Sequence, residues 1–236
     1  MHDTAMRNGE AFFRAYAPTF PEGASVVDIG AQDVNGSLKS ACPAGFRYTG
    51  LDFIEGKGVD IVLTDPYKLP LDNESVDIAV SSSCFEHSEM FWLTYLETMR
   101  VLKPHGLFYL NVPSAGSFHR YPVDCWRFYP DSGSALVKWG ERSGFRNVLL
   151  ESFIETSGKW GDFVGVFLKD AQFAGRYPER ILRSQPDFAN GKNHPSHELL
   201  NHRRRMTPGG QRRPRILKRL LSQLSPTTIR SRHRSE

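Results

Sequence analysis

The sequence predicts an α/β protein, a doubly wound and mostly parallel seven-stranded sheet with an antiparallel terminal strand, followed by a basic C-terminal extension. Three observations carry this reading. Short apolar runs bounded by glycine or proline recur through the first 170 residues, and helical patterns alternate with the later ones. The charge also divides the chain. Residues 1–170 hold 15 Lys/Arg against 22 Asp/Glu, and residues 171–236 hold 15 against 4, so a net charge of +4 joins an acidic body to a basic tail.

The apolar runs fall at residues 24–29, 46–51, 59–63, 76–81, 106–112 and 145–153, and a seventh at 163–168 can return antiparallel to the sixth. Each is short and mostly apolar, which suits buried parallel strands better than two-faced antiparallel ones. Residues 88–102 carry Phe91, Tyr95, Met99 and Leu102 at helical spacing before Lys103-Pro104-His105-Gly106 ends the pattern. Residues 131–142 form a second helix candidate, and residues 10–17 a short one closed by Pro18. The expected organisation is an N-terminal helix within 1–20, one domain over 21–170, and a poorly ordered extension over 171–236. Within that extension, residues 216–224 alternate basic and apolar faces at helical spacing.

No run of about 18 apolar residues occurs and the N-terminus lacks a secretory pattern, so a cytoplasmic protein without a transmembrane segment is expected. Cys42, Cys84 and Cys125 are odd in number and widely spaced, fitting neither disulfides nor a zinc ligand set; no metal is expected.

The chemistry-bearing residues gather at strand ends. Asp28-Ile29-Gly30 closes the first run, followed by a glycine-flanked loop through Gln32 to Gly36. Asp52 closes the second, 22 residues after Gly30, where a doubly wound fold places an acid against a ribose. A loop of G-x-G-x-x-G spacing is absent, which disfavours a dinucleotide cofactor.

The segments VVDIGAQDVNGS, YTGLDF, LPLDNESVDIAVSSSCFEH and LKPHGLFYLNVPS, in that order, resemble the successive motifs of class I S-adenosylmethionine-dependent methyltransferases across residues 24–168. The resemblance implies a Rossmann-like fold with S-adenosylmethionine as cofactor. It implies Asp28 and Gly30 at the methionine end, Asp52 on the ribose diol and Phe53 or Ile54 on adenine. It also implies Asp65 at the adenine amino group and Ser82 and Ser83 beside the methionine and sulfonium. Gln32 stands where the family usually has a second glycine, a departure that leaves the path of the loop open.

Methyl transfer from a sulfonium demands alignment more than acid–base chemistry, but a hydroxyl acceptor benefits from a base, for which His87 and His119 are the candidates. Residues 114–130 (SAGSFHRYPVDCWRFYP) follow the fifth strand and concentrate His119, Arg120, Tyr121, Asp124, Trp126 and Arg127, the expected acceptor-binding set. The bland reading is a covering loop in which Arg127 pairs with Asp124. This loop also resembles that of methyltransferases from bacterial surface-glycan gene clusters, which implies a small-molecule acceptor such as a sugar or glycan precursor. The basic tail leaves two alternatives open: weak contact with an anionic surface, or an RNA methyltransferase holding its substrate electrostatically. The missing Asn-Pro-Pro-Tyr type motif speaks against base-amine methylation. A non-catalytic cofactor-binding protein is the third reading, and the altered glycine loop is its hint.

Overall fold

The structure is a computed structural model that describes residues 2–203 apart from Pro186 and His197. Its eight-stranded sheet is built from β1 (Ser25–Ile29), β2 (Arg47–Asp52), β3 (Ile61–Val62), β4 (Val76–Ser82), β5 (Leu102–Pro113), β6 (Val148–Glu155), β7 (Asp162–Leu168) and β8 (Phe188–Asn193). The spatial order is β3-β2-β1-β4-β5-β7-β6-β8. The first five strands pair in parallel, and β7 then enters antiparallel between β5 and β6. The order reverses between β1 and β4, which opens a crevice beyond the carboxyl ends of those strands.

Alternation along the strands builds a core on each face. Ile78 and Val80 of β4, with Leu107 and Tyr109 of β5, face α1 (Asp3–Tyr16), where Phe12 stacks on Tyr109 with centroids 4.7 Å apart. Their neighbours Ala79, Phe108 and Leu110 face α2 (Phe91–Val101) and α3 (Ser132–Arg142), meeting Tyr95, Met99 and Leu136. All these strand residues are completely buried, as the continuous apolar runs require.

Three features depart from the expected elements. Helix α1 begins seven residues before the short candidate at 10–17, because Ala5 and Asn8 on its first turns are buried as fully as Phe12. The connection from β1 to β2 holds a single 3-10 turn, Leu38–Ser40, where doubly wound folds place a helix. Gly36, Pro43 and Gly45 interrupt any helical period there. The sheet also has eight strands instead of seven. Segment 188–193 (FANGKN), expected within a poorly ordered extension, pairs antiparallel with β6, with Glu155 opposite Phe188 and Ser152 opposite Lys192. Its Asn-Gly pair reads as a turn in sequence, yet pairing here covers the backbone edge that β6 would otherwise expose. The basic runs after Arg203 and the amphipathic segment at 216–224 lie outside the described residues. No helix among the described residues is long and apolar enough to cross a membrane.

Glu151 locks the returning segment in place. This completely buried carboxylate of β6 accepts hydrogen bonds from Tyr16 Oη at 2.6 Å and from the backbone N–H groups of Ile181 (2.7 Å) and Leu182 (3.0 Å). Removing it leaves buried donors without a partner, so Glu151→Ala is expected to cost about 2–4 kcal/mol in urea unfolding. A loss below about 0.5 kcal/mol would show that the segment docks by apolar contact alone.

Candidate active site

A cavity of about 580 Å³ occupies the crevice at the ends of β1, β2, β4 and β5. At one end β1 delivers Asp28 and Gly30. Gly30 sits at φ +82°, its N–H bonded to the Leu51 carbonyl at 2.9 Å, and a Cβ there would lie 2.4 Å from Cβ of Cys84. Only glycine fits both the dihedral and the space.

Asp52, 8% exposed, holds the floor. One carboxylate oxygen accepts the N–H of Gln32 at 3.1 Å and the other that of Ile54 at 3.2 Å, so this side chain joins the loops after β1 and β2. Asp28 is 3% exposed and accepts the Tyr48 hydroxyl at 2.7 Å. Burial pushes its carboxyl up to about 7; the Tyr48 bond opposes the rise and nearby Asp52 adds to it. Ser82 and Ser83 line the cavity from the end of β4, and the buried Ser82 hydroxyl has no hydrogen-bond partner among the described residues. An orphaned hydroxyl, two carboxylates and a glycine cradle on one wall fit a polar, positively charged ligand.

Glu86, His87 and His119 also line the cavity. Glu86 is 1% exposed, its Oε2 lacks a partner among the described residues, and burial pushes its carboxyl up to about 8. Its backbone carbonyl accepts the N–H groups of Cys125 and Trp126 at 2.8 and 3.1 Å, fastening the 114–130 loop to the end of β4. His87 Nδ1 bonds the Val123 carbonyl, which fixes the tautomer with its proton on Nδ1 and leaves the Nε2 lone pair free. Burial holds the His87 pKa below the ordinary imidazole value. His119 lies edge-on to His87 with ring centroids 5.0 Å apart and packs on Trp160 at 4.7 Å.

The cavity brings together Asp28, Gly30, Gln32, Asp52, Phe53, Ile54, Ser82, Ser83, His87, His119, Arg120 and Tyr121. It does not take in four other expected residues. Asp65 is exposed and accepts the Tyr67 N–H at 2.8 Å, closing its own turn, while its neighbours Pro66 and Tyr67 reach the cavity instead. Asp124 and Arg127 form an ion pair at 2.5 Å, and Asp124 also accepts the His119 N–H at 2.7 Å, so they shape the loop from within. Trp126 donates to the Ser88 carbonyl and packs edge-on against Phe91 and Trp92. Gln32, at the departure from the glycine pattern, accepts the Tyr121 hydroxyl at 2.7 Å and so links the first loop to the 114–130 loop. Sequence reasoning missed Tyr48, Glu86, Trp160 and His2. Glu86 stood beside His87 in SSSCFEH, but Trp160 and His2 reach the cavity from distant elements that carry no local signal.

Residues 27–110 match the family model described as a methyltransferase domain. A 1,6-didemethyltoxoflavin-N1-methyltransferase from Burkholderia thailandensis, solved with S-adenosylhomocysteine, superposes with a TM-score of 0.54 at 19% identity, over 71% of this chain and 79% of that one. A SAM-dependent methyltransferase from Archaeoglobus fulgidus gives 0.51 at 19% identity, over 70% and 94%. The [4+2]-cyclase SpnF gives 0.52 at 13% identity, over 70% and 81%. These likenesses show the fold. No curated protein matches the chain in sequence. The methyltransferase-domain match falls on β1 to β5, the strands whose ends carry the cavity residues, within a fold shared with S-adenosylmethionine-dependent methyltransferases.

The close approach of Gly30 to Cys84 has a measurable consequence. Gly30→Ala is expected to destabilise the protein by about 2 kcal/mol, from left-handed strain plus the clash. In a Cys84→Gly background the clash disappears and the strain remains, so thermal unfolding should show coupling of about 1 kcal/mol. Additive effects would mean that Gly30 does not lie against the Cys84 side chain as described.

Proposed function

We propose that the chain transfers the methyl group to a hydroxyl of a small-molecule acceptor, a sugar or glycan precursor. The observation that carries this is a single cavity lined both by the Asp28 and Asp52 carboxylates and by two imidazoles, His87 and His119. In this reading Asp28 meets the cofactor ammonium, Asp52 accepts both ribose hydroxyls, Phe53 and Ile54 cover the adenine, and Ser82 and Ser83 stand beside the methionine. Bound there, the cofactor supplies an already activated methyl on its sulfonium. The toxoflavin enzyme, of the same fold, holds S-adenosylhomocysteine and supports this assignment of the cavity.

The remaining work of the chain is positioning. His119, Arg120 and Tyr121 line the cavity from the 114–130 loop, with Trp160 giving an apolar face of the kind a sugar ring packs on. The acceptor oxygen forms its bond to the methyl carbon while the carbon–sulfur electron pair returns to sulfur, and the hydroxyl proton is released at the His87–His119 end. The resemblance of the 114–130 loop to that of surface-glycan methyltransferases supports a sugar-like acceptor. The net charge of −7 over residues 1–170 works against a polyanion at this cavity.

Calorimetric titration of S-adenosylmethionine and S-adenosylhomocysteine should give micromolar binding, roughly −8 kcal/mol. Asp52→Ala should weaken it at least about tenfold, since the variant loses both the ribose acceptor and the tie between the two loops. With binding established, mass spectrometry of a panel of nucleotide sugars and free glycans should show one added methyl. Unchanged affinity in Asp52→Ala would overturn the ribose assignment, and methylation of amines only would overturn the hydroxyl acceptor.

The raised pKa of Asp28 gives a pH signature. Near pH 6 most of the free protein carries a neutral Asp28, which cannot pair with an ammonium; above 7 most carries the carboxylate. Cofactor affinity should therefore rise roughly 20-fold between about pH 5.5 and 7.5, and Asp28→Asn should flatten the profile. The same shift acts oppositely on the free fold: a carboxyl held above its unfolded value takes up protons on folding, so its contribution to stability declines as pH climbs from about 4 to 7. Affinity independent of pH in the wild type would remove Asp28 from the ammonium.

A further inference from the structure

We infer that Glu86, His87 and His119 form a site for one first-row divalent transition cation, such as zinc or manganese, at the acceptor end of the cavity. One donor atom from each residue lies within 4.8 Å of the other two. Glu86 Oε1 and His87 Nε2 are 3.8 Å apart. Ligands about 2.0–2.2 Å from a tetrahedral cation stand roughly 3.4 Å from one another, so closure needs about 1 Å of side-chain movement. His119, whose side chain is 38% exposed on its loop, has the freedom to supply it.

Two further observations point to a ligand. Glu86 Oε2 is buried with no partner among the described residues, and a buried carboxylate oxygen without a donor is costly unless something positive meets it. Both imidazoles also present the arrangement of metal-bound histidines, in which one nitrogen is tied to a carbonyl and the other is left for the ion. His87 Nδ1 is on the Val123 carbonyl, and His119 Nδ1 lies 3.1 Å from that of Ser117. The Arg127 guanidinium is paired with Asp124, which lessens its repulsion of a cation.

Two nitrogens and one carboxylate select zinc, manganese or their first-row neighbours over magnesium or calcium, which prefer all-oxygen shells. Three protein ligands leave a position open, as catalytic sites do and structural sites do not. The role of the cation rests on the hydroxyl-acceptor reading above, whereas its binding does not. It would take a lone pair of the acceptor oxygen, so that the hydroxyl proton passes to solvent as the oxygen bonds the methyl carbon. The products are a methyl ether, the thioether and one proton.

The test uses the untagged full-length chain, stripped with a chelator and titrated with zinc, manganese and magnesium by calorimetry, and with cobalt by visible absorption. Expected are one zinc or manganese per chain, much weaker magnesium binding, and a loss of roughly a hundredfold in both Glu86→Gln and His119→Ala. S-adenosylhomocysteine titration of each variant separates loss of the ligand from loss of the fold. No stoichiometric cation on the wild type, or undiminished affinity in both variants, would overturn the site. Methylation of a hydroxyl acceptor that persists in excess chelator would overturn the role of the cation and leave the acceptor reading standing. A bound cation with no hydroxyl methylated would overturn the acceptor reading, and the role of the cation with it, and leave the site standing.

Discussion

The Asp52 carboxylate is the constraint on which the site depends. β2 ends where this side chain can accept backbone N–H groups from the loops after β1 and β2 at once, through Gln32 and Ile54. Neither loop is braced by a long helix, since a single 3-10 turn spans the β1–β2 connection. The carboxylate therefore takes over the bracing that a helix N-terminus usually provides at a doubly wound crevice. Gly30 supplies the other half by letting the chain turn directly against the Cys84 side chain, where a Cβ of its own would have no room.

Burial then sets the electrostatics. Asp28 and Glu86 lie under the same cavity, nearly without exposure, and both are pushed toward their neutral forms. Two acids that resist ionisation in the free protein make a cavity whose charge its ligands decide. A positive group arriving at either end supplies what the site lacks, and each carboxylate then ionises at the expense of part of the binding energy. Tyr48 already provides some of that stabilisation for Asp28, whereas Glu86 Oε2 has no equivalent donor among the described residues.

Much of this architecture was legible in the sequence because periodicity and strand-end chemistry are local. The seven apolar runs became strands, Asp28, Gly30 and Asp52 stood at strand ends, and the cavity gathers them. What stayed hidden was decided by tertiary pairing. Asp65 matched a family position, yet its carboxylate caps the turn that it begins. β8 carries Asn-Gly in its middle, and only the exposed edge of β6 makes it a strand. In the 114–130 loop the density of charge pointed to ligand binding, but Asp124 and Arg127 neutralise each other inside the loop and position His119. Side chains that look most chemical in sequence can be scaffold, while an unremarked neighbour such as Glu86 faces the cavity.

Gln32 shows how a departure from a family pattern can be constructive. A glycine there could still donate its backbone N–H to Asp52, as Gln32 does, but only Gln32 adds a side chain that accepts the Tyr121 hydroxyl. One residue thereby touches the Asp52 floor of the cavity and the loop that carries His119 and Arg120. Gly56 is its steric counterpart, since a Cβ there would come within 2.7 Å of the Gln32 amide. The loop after β1 and the 114–130 loop are mechanically joined through this bridge. A ligand that orders the first loop also orders the 114–130 loop, and the entropy spent at one end need not be spent again at the other. Cofactor and acceptor are then expected to bind with positive cooperativity through the backbone and amide of a single side chain.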